Sequence, residues 1–214
     1  LAVATSSASR IPVPDSSIDY IFVDPPFGGN IPYSEVNFMW EALLGVFTKT
    51  KAEAVSSPIQ EKGIREYQSL MKSSFEELYR VLKPGRWMTV EFSNTKASIW
   101  NSIQTSLQEA GFVVANVSAL DKKQGSFKAV TTTMAVKQDL VISAYKPDDS
   151  LEDCLTSQGV TTDSAWDFIR SHLGYLPVVK LNAGVLEFVV ERDPRILFDR
   201  LVAWFVRHNI PVPI

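Results

Sequence analysis

Six residues, Ile18-Asp19-Tyr20-Ile21-Phe22-Val23, constrain this chain more than any other stretch. They are rich in β-branched and aromatic side chains, and turn-forming sequence bounds them on both sides. Pro14-Asp15-Ser16-Ser17 precedes them and Asp24-Pro25-Pro26 follows. A short apolar run with hard stops at each end reads as a buried strand of parallel type. Beyond it the chain alternates in period. Residues 35–47 carry Val36, Met39, Trp40, Leu43, Leu44 and Phe47 at helical spacing. Residues 48–63 are polar, hold Pro58 and Gly63, and read as an excursion loop. Residues 64–82 repeat Tyr67, Leu70, Met71, Phe75, Leu78, Tyr79 and Leu82 every three or four positions, up to the stop Lys83-Pro84-Gly85.

The alternation continues. Trp87–Phe92 reads as a strand, and 96–110 as a helix with Ile99, Trp100, Ile103 and Leu107 on one face, ended by Gly111. Phe112–Leu120 and Leu140–Tyr145 are strands with no helix between them, so an antiparallel pair is expected. The resulting class is α/β, a wound Rossmann-like sheet with a closing hairpin. Lys146-Pro147-Asp148-Asp149 marks a break. Beyond it, residues 151–214 are expected to form a small α-rich subdomain. One helix starts at Thr162 or Asp163 and runs to about Leu173. Val185–Val190 is a short strand. A second helix begins at Asp193-Pro194 and buries Ile196, Leu197, Leu201, Trp204 and Phe205.

Composition narrows the function. The 214 residues are 45% hydrophobic and 21% charged, outside the range of disordered chains. One cysteine, Cys154, excludes an internal disulfide framework, and with His172 and His208 it offers no metal-ligand spacing. No metal is expected. No stretch suits a bilayer span or a secretion signal, so the expectation is a cytoplasmic protein with no membrane partner. Net charge is −3; residues 61–147 carry +4 between flanks of −3 and −4. Charge alone would hold nucleic acid weakly, and only through the middle third.

Asp24-Pro25-Pro26-Phe27, followed by Gly28-Gly29, stands where the chemistry is expected. Ligands of open α/β sheets sit outside the carboxyl ends of strands. Two successive prolines fix φ and remove two donors. The Asp24 carboxylate and the Pro25 carbonyl can then project as a pair of acceptors beside the Phe27 ring. Such a pair suits an exocyclic –NH2, whose delocalised lone pair becomes nucleophilic once both hydrogens are held. A base must leave its stack to reach that corner, at a cost of a few kcal/mol. Stacking on an aromatic ring returns about 1–3 kcal/mol.

These residues resemble the catalytic motif of the DNA amino-methyltransferases, the N6-adenine and N4-cytosine methylases. The resemblance spans about residues 11–147. It includes the Leu82-Lys83-Pro84-Gly85-Arg86-Trp87 turn into a strand and the closing hairpin. It implies S-adenosylmethionine as cofactor, DNA as partner, Asp24 and Pro25 as amine acceptors, and Phe27 as the stacking ring. Asp24 would also face the donor. Aspartate in the first motif position favours adenine N6 by family habit. The family's Phe-x-Gly-x-Gly donor loop is missing from this sequence, and Gly28-Gly29 belongs to the catalytic loop. The expectation is therefore that residues 1–147 are the catalytic half of a methyltransferase domain whose N-terminal part lies upstream in the same polypeptide.

Further candidates flank the motif. Gly28, Tyr33 and Asn37 follow closely enough to line a base pocket, or else they cap and pack. Lys122, Lys123 and Lys128 border a turn and could meet phosphates, or else they are solvated. The five tryptophans and His172 read as core or helix-end residues without catalytic roles. Two alternatives stay open: an RNA base-amine methyltransferase, for which asparagine at position 24 would be the commoner choice, and a non-catalytic module retaining a methylase shell.

Overall fold

A computed structural model describes residues 5–29, 31–94, 96–120, 139–148, 162–182, 184–208 and 210–212. The expected strand forms as β1, Ile18–Val23. Two short helices follow, α1 (Tyr33–Val36) and α2 (Phe38–Leu44), then the long α3 (Ile64–Val81). β2 (Leu82–Phe92), α4 (Ala97–Ala110), β3 (Val113–Leu120) and β4 (Asp139–Tyr145) complete the sheet layer. After these come α5 (Thr162–Tyr175), the small hairpin β5 (Lys180–Asn182) and β6 (Val185–Glu187), and α6 (Pro194–Arg207).

The sheet order is β1-β2-β4-β3. β1 runs parallel to β2, with Val23 opposite Val90, and β4 is antiparallel to both β2 and β3. The architecture is thus α/β with the closing antiparallel pair that the helix-free connection implied. α3 and α4 cover one sheet face. Tyr67, Met71, Phe75, Leu78 and Val81 of α3 meet Ile99, Ile103 and Leu107 of α4 over Met88, Val90, Phe92, Ile142 and Ala144. Burial of each large side chain there contributes about 1.5–3 kcal/mol before chain entropy is counted. α4 ends at Gly111, whose φ of +116° is left-handed and costs glycine little.

A polar knot fixes the approach to β1. Arg80 on α3 donates to the carbonyls of Ile11 (3.0 Å) and Val13 (3.1 Å), to both Glu77 oxygens and to Asp15. Glu77 in turn accepts from the Ile11 N–H at 2.7 Å. The Arg80 hydrogen bonds and that amide hold the Glu77 carboxyl at about 2, well below its ordinary value.

On the opposite face, α5 and α6 cover β3, β4 and Trp87 of β2. Phe168, Leu201, Trp204 and Phe205 share a core with Val113, Ala115 and Tyr145. His172 lies inside this cluster, fully buried, its Nδ1 2.7 Å from the Tyr145 hydroxyl. Burial, reinforced by Arg200, pushes its pKa down to about 4.

Four expectations need correction. β1 is parallel but half-open: only Ile21 is buried, whereas Tyr20 and Phe22 are 55% and 58% exposed. They lie on the same face as α5 and α6, beyond the part of it that those helices cover. The helix expected over 35–47 is broken at Asn37 into α1 and α2, and neither buries a residue. Its apolar positions, Val36, Met39, Trp40, Leu43, Leu44 and Phe47, are all exposed. Their spacing gives helicity, but nothing among the described residues packs on that stripe. Of the tryptophans read as core, Trp40 and Trp166 are exposed, while Trp204 is buried. Residues 180–182 form a strand not foreseen, and Val190 belongs to a 3-10 turn rather than to the strand expected over 185–190.

Two acid windows follow from these groups. The folded chain keeps His172 neutral, so its unfolded form gains a proton first as pH falls, and stability is lost from about 6.5 down to about 4. Glu77 ionises more readily when folded, so its contribution is present above 4.5 and disappears as pH falls toward about 2. Thermal melts across pH 2–8 are expected to show both slopes. His172→Gln should remove the upper one and Glu77→Gln the lower, and each variant should leave the other slope in place.

Candidate functional site

Parallel pairing puts the carboxyl ends of β1 and β2 side by side. The turn after Val23 therefore lies next to the residues that follow Phe92. Asp24, at the end of β1, is exposed, Pro25 is buried, and Pro26 and Phe27 are half-buried. The Phe27 ring meets Phe92 edge-to-face at 5.3 Å and 82°, and Phe92 packs on Trp100 at 5.5 Å. The ring is thus located by the sheet while part of it remains accessible.

Two side chains hold the turn. Tyr67 of α3, buried, donates its hydroxyl to the Pro26 carbonyl at 2.6 Å. Asn94, just after β2, donates its amide to the Phe27 carbonyl at 2.8 Å. The other end of that amide accepts from the Lys96 N–H at 2.7 Å, which fixes its orientation. Two glycines then let the chain pass. Gly28 has φ +74°, and a Cβ there would lie 3.2 Å from the Ile99 side chain. A Cβ on Gly29 would lie 2.7 Å from the Ser56 carbonyl oxygen, so the turn runs directly against the 48–63 excursion.

That excursion is tied down rather than loose. Val55 is buried. Glu53 accepts from the Ser34 N–H (3.0 Å) and from the Gln60 amide (2.7 Å), and Lys62 donates to its carbonyl (2.6 Å). Burial raises the Glu53 pKa, but Gln60, Ser34 and the Lys62 charge outweigh it, so the carboxyl titrates below its ordinary value. Glu53 thereby joins α1 to the excursion.

The sequence candidates separate into three groups. Asp24, Pro25, Pro26, Phe27 and Gly28 form one turn at the strand end. Tyr33 opens α1 and Asn37 links α1 to α2; both are exposed. The hollow beside them is lined by Ser34, Glu35, Phe38, Glu41, Phe47, Thr48 and Thr50. Its two carboxylates would repel a phosphate. Lys122, Lys123 and Lys128 lie outside the described residues. Among the described residues no cluster of three or more histidine, cysteine, aspartate or glutamate side chains could hold a metal, and no helix is long and apolar enough to cross a membrane.

Tyr67, Asn94 and Glu53 were missed in the sequence. Tyr67 reads as one more apolar position of a helical stripe. Only its hydroxyl, set at the core edge nearest the motif, distinguishes it from a packing residue. Asn94 carried a usable signal, since an asparagine between a strand and a helix commonly makes a local backbone turn.

Comparison with known proteins adds a family. No curated protein matches the chain. Among solved structures, a candidate DNA modification methylase from Thermus thermophilus, complexed with S-adenosyl-L-methionine, is 12% identical with TM-score 0.42. The match covers 76% of this chain and 63% of that one. The [4+2]-cyclase SpnF is 14% identical with TM-score 0.40, covering 68% of this chain and 56% of its own. The chain thus spans about half to two thirds of the length of these structures, and likenesses at this level bear on neither ligand nor reaction. The sequence profile of a DNA methylase family is more specific, matching residues 18–180, from the first residue of β1 through the hairpin to the start of β5. With the motif turn inside that match and the sheet built around it, the chain belongs to the DNA methylase family.

Proposed function

We propose that this chain carries the base-binding side of an S-adenosylmethionine-dependent DNA methyltransferase that acts on an exocyclic base amine, adenine N6 in preference to cytosine N4. The observation that carries the reading is the strand-end turn. An exposed carboxylate, a proline-locked backbone and a partly buried ring come together where an α/β sheet presents ligands.

The chain's own contribution is to hold the amine. Asp24 accepts one hydrogen of the –NH2 and the Pro25 carbonyl accepts the other, which localises the nitrogen lone pair toward the incoming electrophile. Phe27 stacks on the extruded base and offsets part of its unstacking cost. After transfer the nitrogen has four substituents and a positive charge. Asp24, or water beside it, takes the surplus proton, and the product amine is neutral again. Gly28 lets the chain turn away beneath the base. Tyr33 and Asn37 stand on the segment leaving the turn and would line the base pocket. Lys122, Lys123 and Lys128 would reach phosphates.

S-adenosylmethionine supplies an electrophilic methyl group when bound. The residues here fit one wall of its site. Among the described residues β1 pairs only with β2, which leaves its other edge open beside the exposed Asp24. Asp24 is the residue assigned to that wall, on the strength of the family resemblance; the sequence holds no glycine-rich donor loop.

Transfer of labelled methyl to DNA by the whole protein tests the proposal. Asp24→Ala should lower kcat by about 10³-fold or more, in line with loss of a positioned acceptor and proton acceptor. Phe27→Ala should weaken capture of the base by about 10-fold while leaving measurable turnover. Digestion of the product to nucleosides should give N6-methyladenine. N4-methylcytosine would correct the base, and undiminished turnover in Asp24→Ala would remove the site. Methylation of RNA in place of DNA would correct the substrate.

A further inference from the structure

We propose that Tyr67 and Asn94 are positioning residues for the methyl-transfer reaction. They touch no substrate, and they set the direction of the Pro25 acceptor and of the Phe27 ring by holding the two carbonyls that come next in the chain. This rests on the reading of Asp24-Pro25-Pro26-Phe27 as the amine-binding turn.

The turn has few backbone rotations left to it. Both prolines have φ locked, and a residue before proline is restricted to extended backbone, so beyond Asp24 the turn moves through ψ at Pro25, Pro26 and Phe27 and through φ at Phe27. The Tyr67 hydroxyl holds the Pro26 carbonyl at 2.6 Å and so fixes the peptide plane after Pro26. The Asn94 amide holds the Phe27 carbonyl at 2.8 Å and fixes the next plane. With these two planes set, and the ring lodged against Phe92, the Pro25 carbonyl has little room to swing. The anchors come from separate elements, α3 and the segment after β2, and both approach from the core side.

Each anchor is itself anchored. Tyr67 is completely buried, and burial pushes its phenol above its ordinary pKa, although the nearby Gly28 backbone acts the other way. It therefore remains protonated, a permanent donor rather than a base. Asn94 has its oxygen committed to the Lys96 N–H at 2.7 Å, so only its nitrogen is presented to Phe27. An aspartate there would set an oxygen against the Phe27 carbonyl. Misplacing a reacting group by about 1 Å can cost about 10²-fold in rate.

The experiment uses two near-isosteric variants of the whole protein, Tyr67→Phe and Asn94→Asp, with Asp24→Ala alongside. For each, kcat and KM for DNA are measured per active site, well below the melting temperature. Base extrusion is followed with 2-aminopurine at the target position. The expected result is a fall in kcat of about 10²-fold in both variants, with KM for DNA and the extrusion signal changed less than about 3-fold. The pH–rate profile should keep its shape, because Tyr67 donates without titrating. Should both variants melt at lower temperature yet turn over at the wild-type rate per folded molecule, Tyr67 and Asn94 are structural and the inference is overturned. A shifted pH profile in Tyr67→Phe would also overturn it, since the phenol would then be exchanging protons. If Asp24→Ala turns over normally, the amine-binding reading itself fails. If Asp24→Ala is inactive while the other two are normal, only the positioning claim fails.

Discussion

The parallel pairing of β1 with β2 is the constraint from which the rest of the site derives. With Val23 opposite Val90, β1 ends two residues short of the end of β2, and the chains leaving the two strands turn in the same small space. That geometry brings Phe27 onto Phe92 and lets Asn94 reach the Phe27 carbonyl. An antiparallel pair would send these two strand ends to opposite edges of the sheet. α3 then closes the corner from below. It is amphipathic enough to bury five large side chains, and one of them, Tyr67, carries a hydroxyl to the motif. The polar knot of Arg80 and Glu77 at the other end of the same helix holds the entry to β1. One helix therefore secures both ends of the strand that carries the motif.

Much of this was legible in the sequence where a local signal and a tertiary role coincide. β1, α3 and α4 formed with the ends that their stops and periods implied: prolines after β1, and Gly111 after α4. The antiparallel closure followed from a connection with no helix. At 35–47 the period was read correctly as helical. Periodicity reports amphipathicity, not the presence of a partner, and Trp40, Leu43, Leu44 and Phe47 have none to pack on among the described residues. The exposure of Tyr20 and Phe22 has the same origin. A strand's composition tells how it prefers to be buried, whereas its neighbours decide whether it is.

The motif itself stood out in the sequence because an acidic residue followed by two prolines at a strand end is an unusual local pattern. Its supports did not. Tyr67 lies 41 residues downstream of Pro26, and Asn94 lies 67 residues downstream of Phe27. Only the fold brings them near, and neither bond leaves a periodic or spacing signature. The role of Glu53 in tying α1 to the excursion was invisible for the same reason, since it depends on Ser34 and Gln60 meeting it from separate segments.

The proposed site works only if a carboxylate and a main-chain oxygen grip one amino group. Its most direct measurement is a crystal structure of the whole protein with duplex DNA bearing its target base. The prediction is a base swung out of the helix, its exocyclic nitrogen within about 3 Å of both an Asp24 oxygen and the Pro25 carbonyl oxygen, and its ring parallel to Phe27. A target base still stacked in the duplex, or an extruded base whose amine is held by other groups, would contradict it.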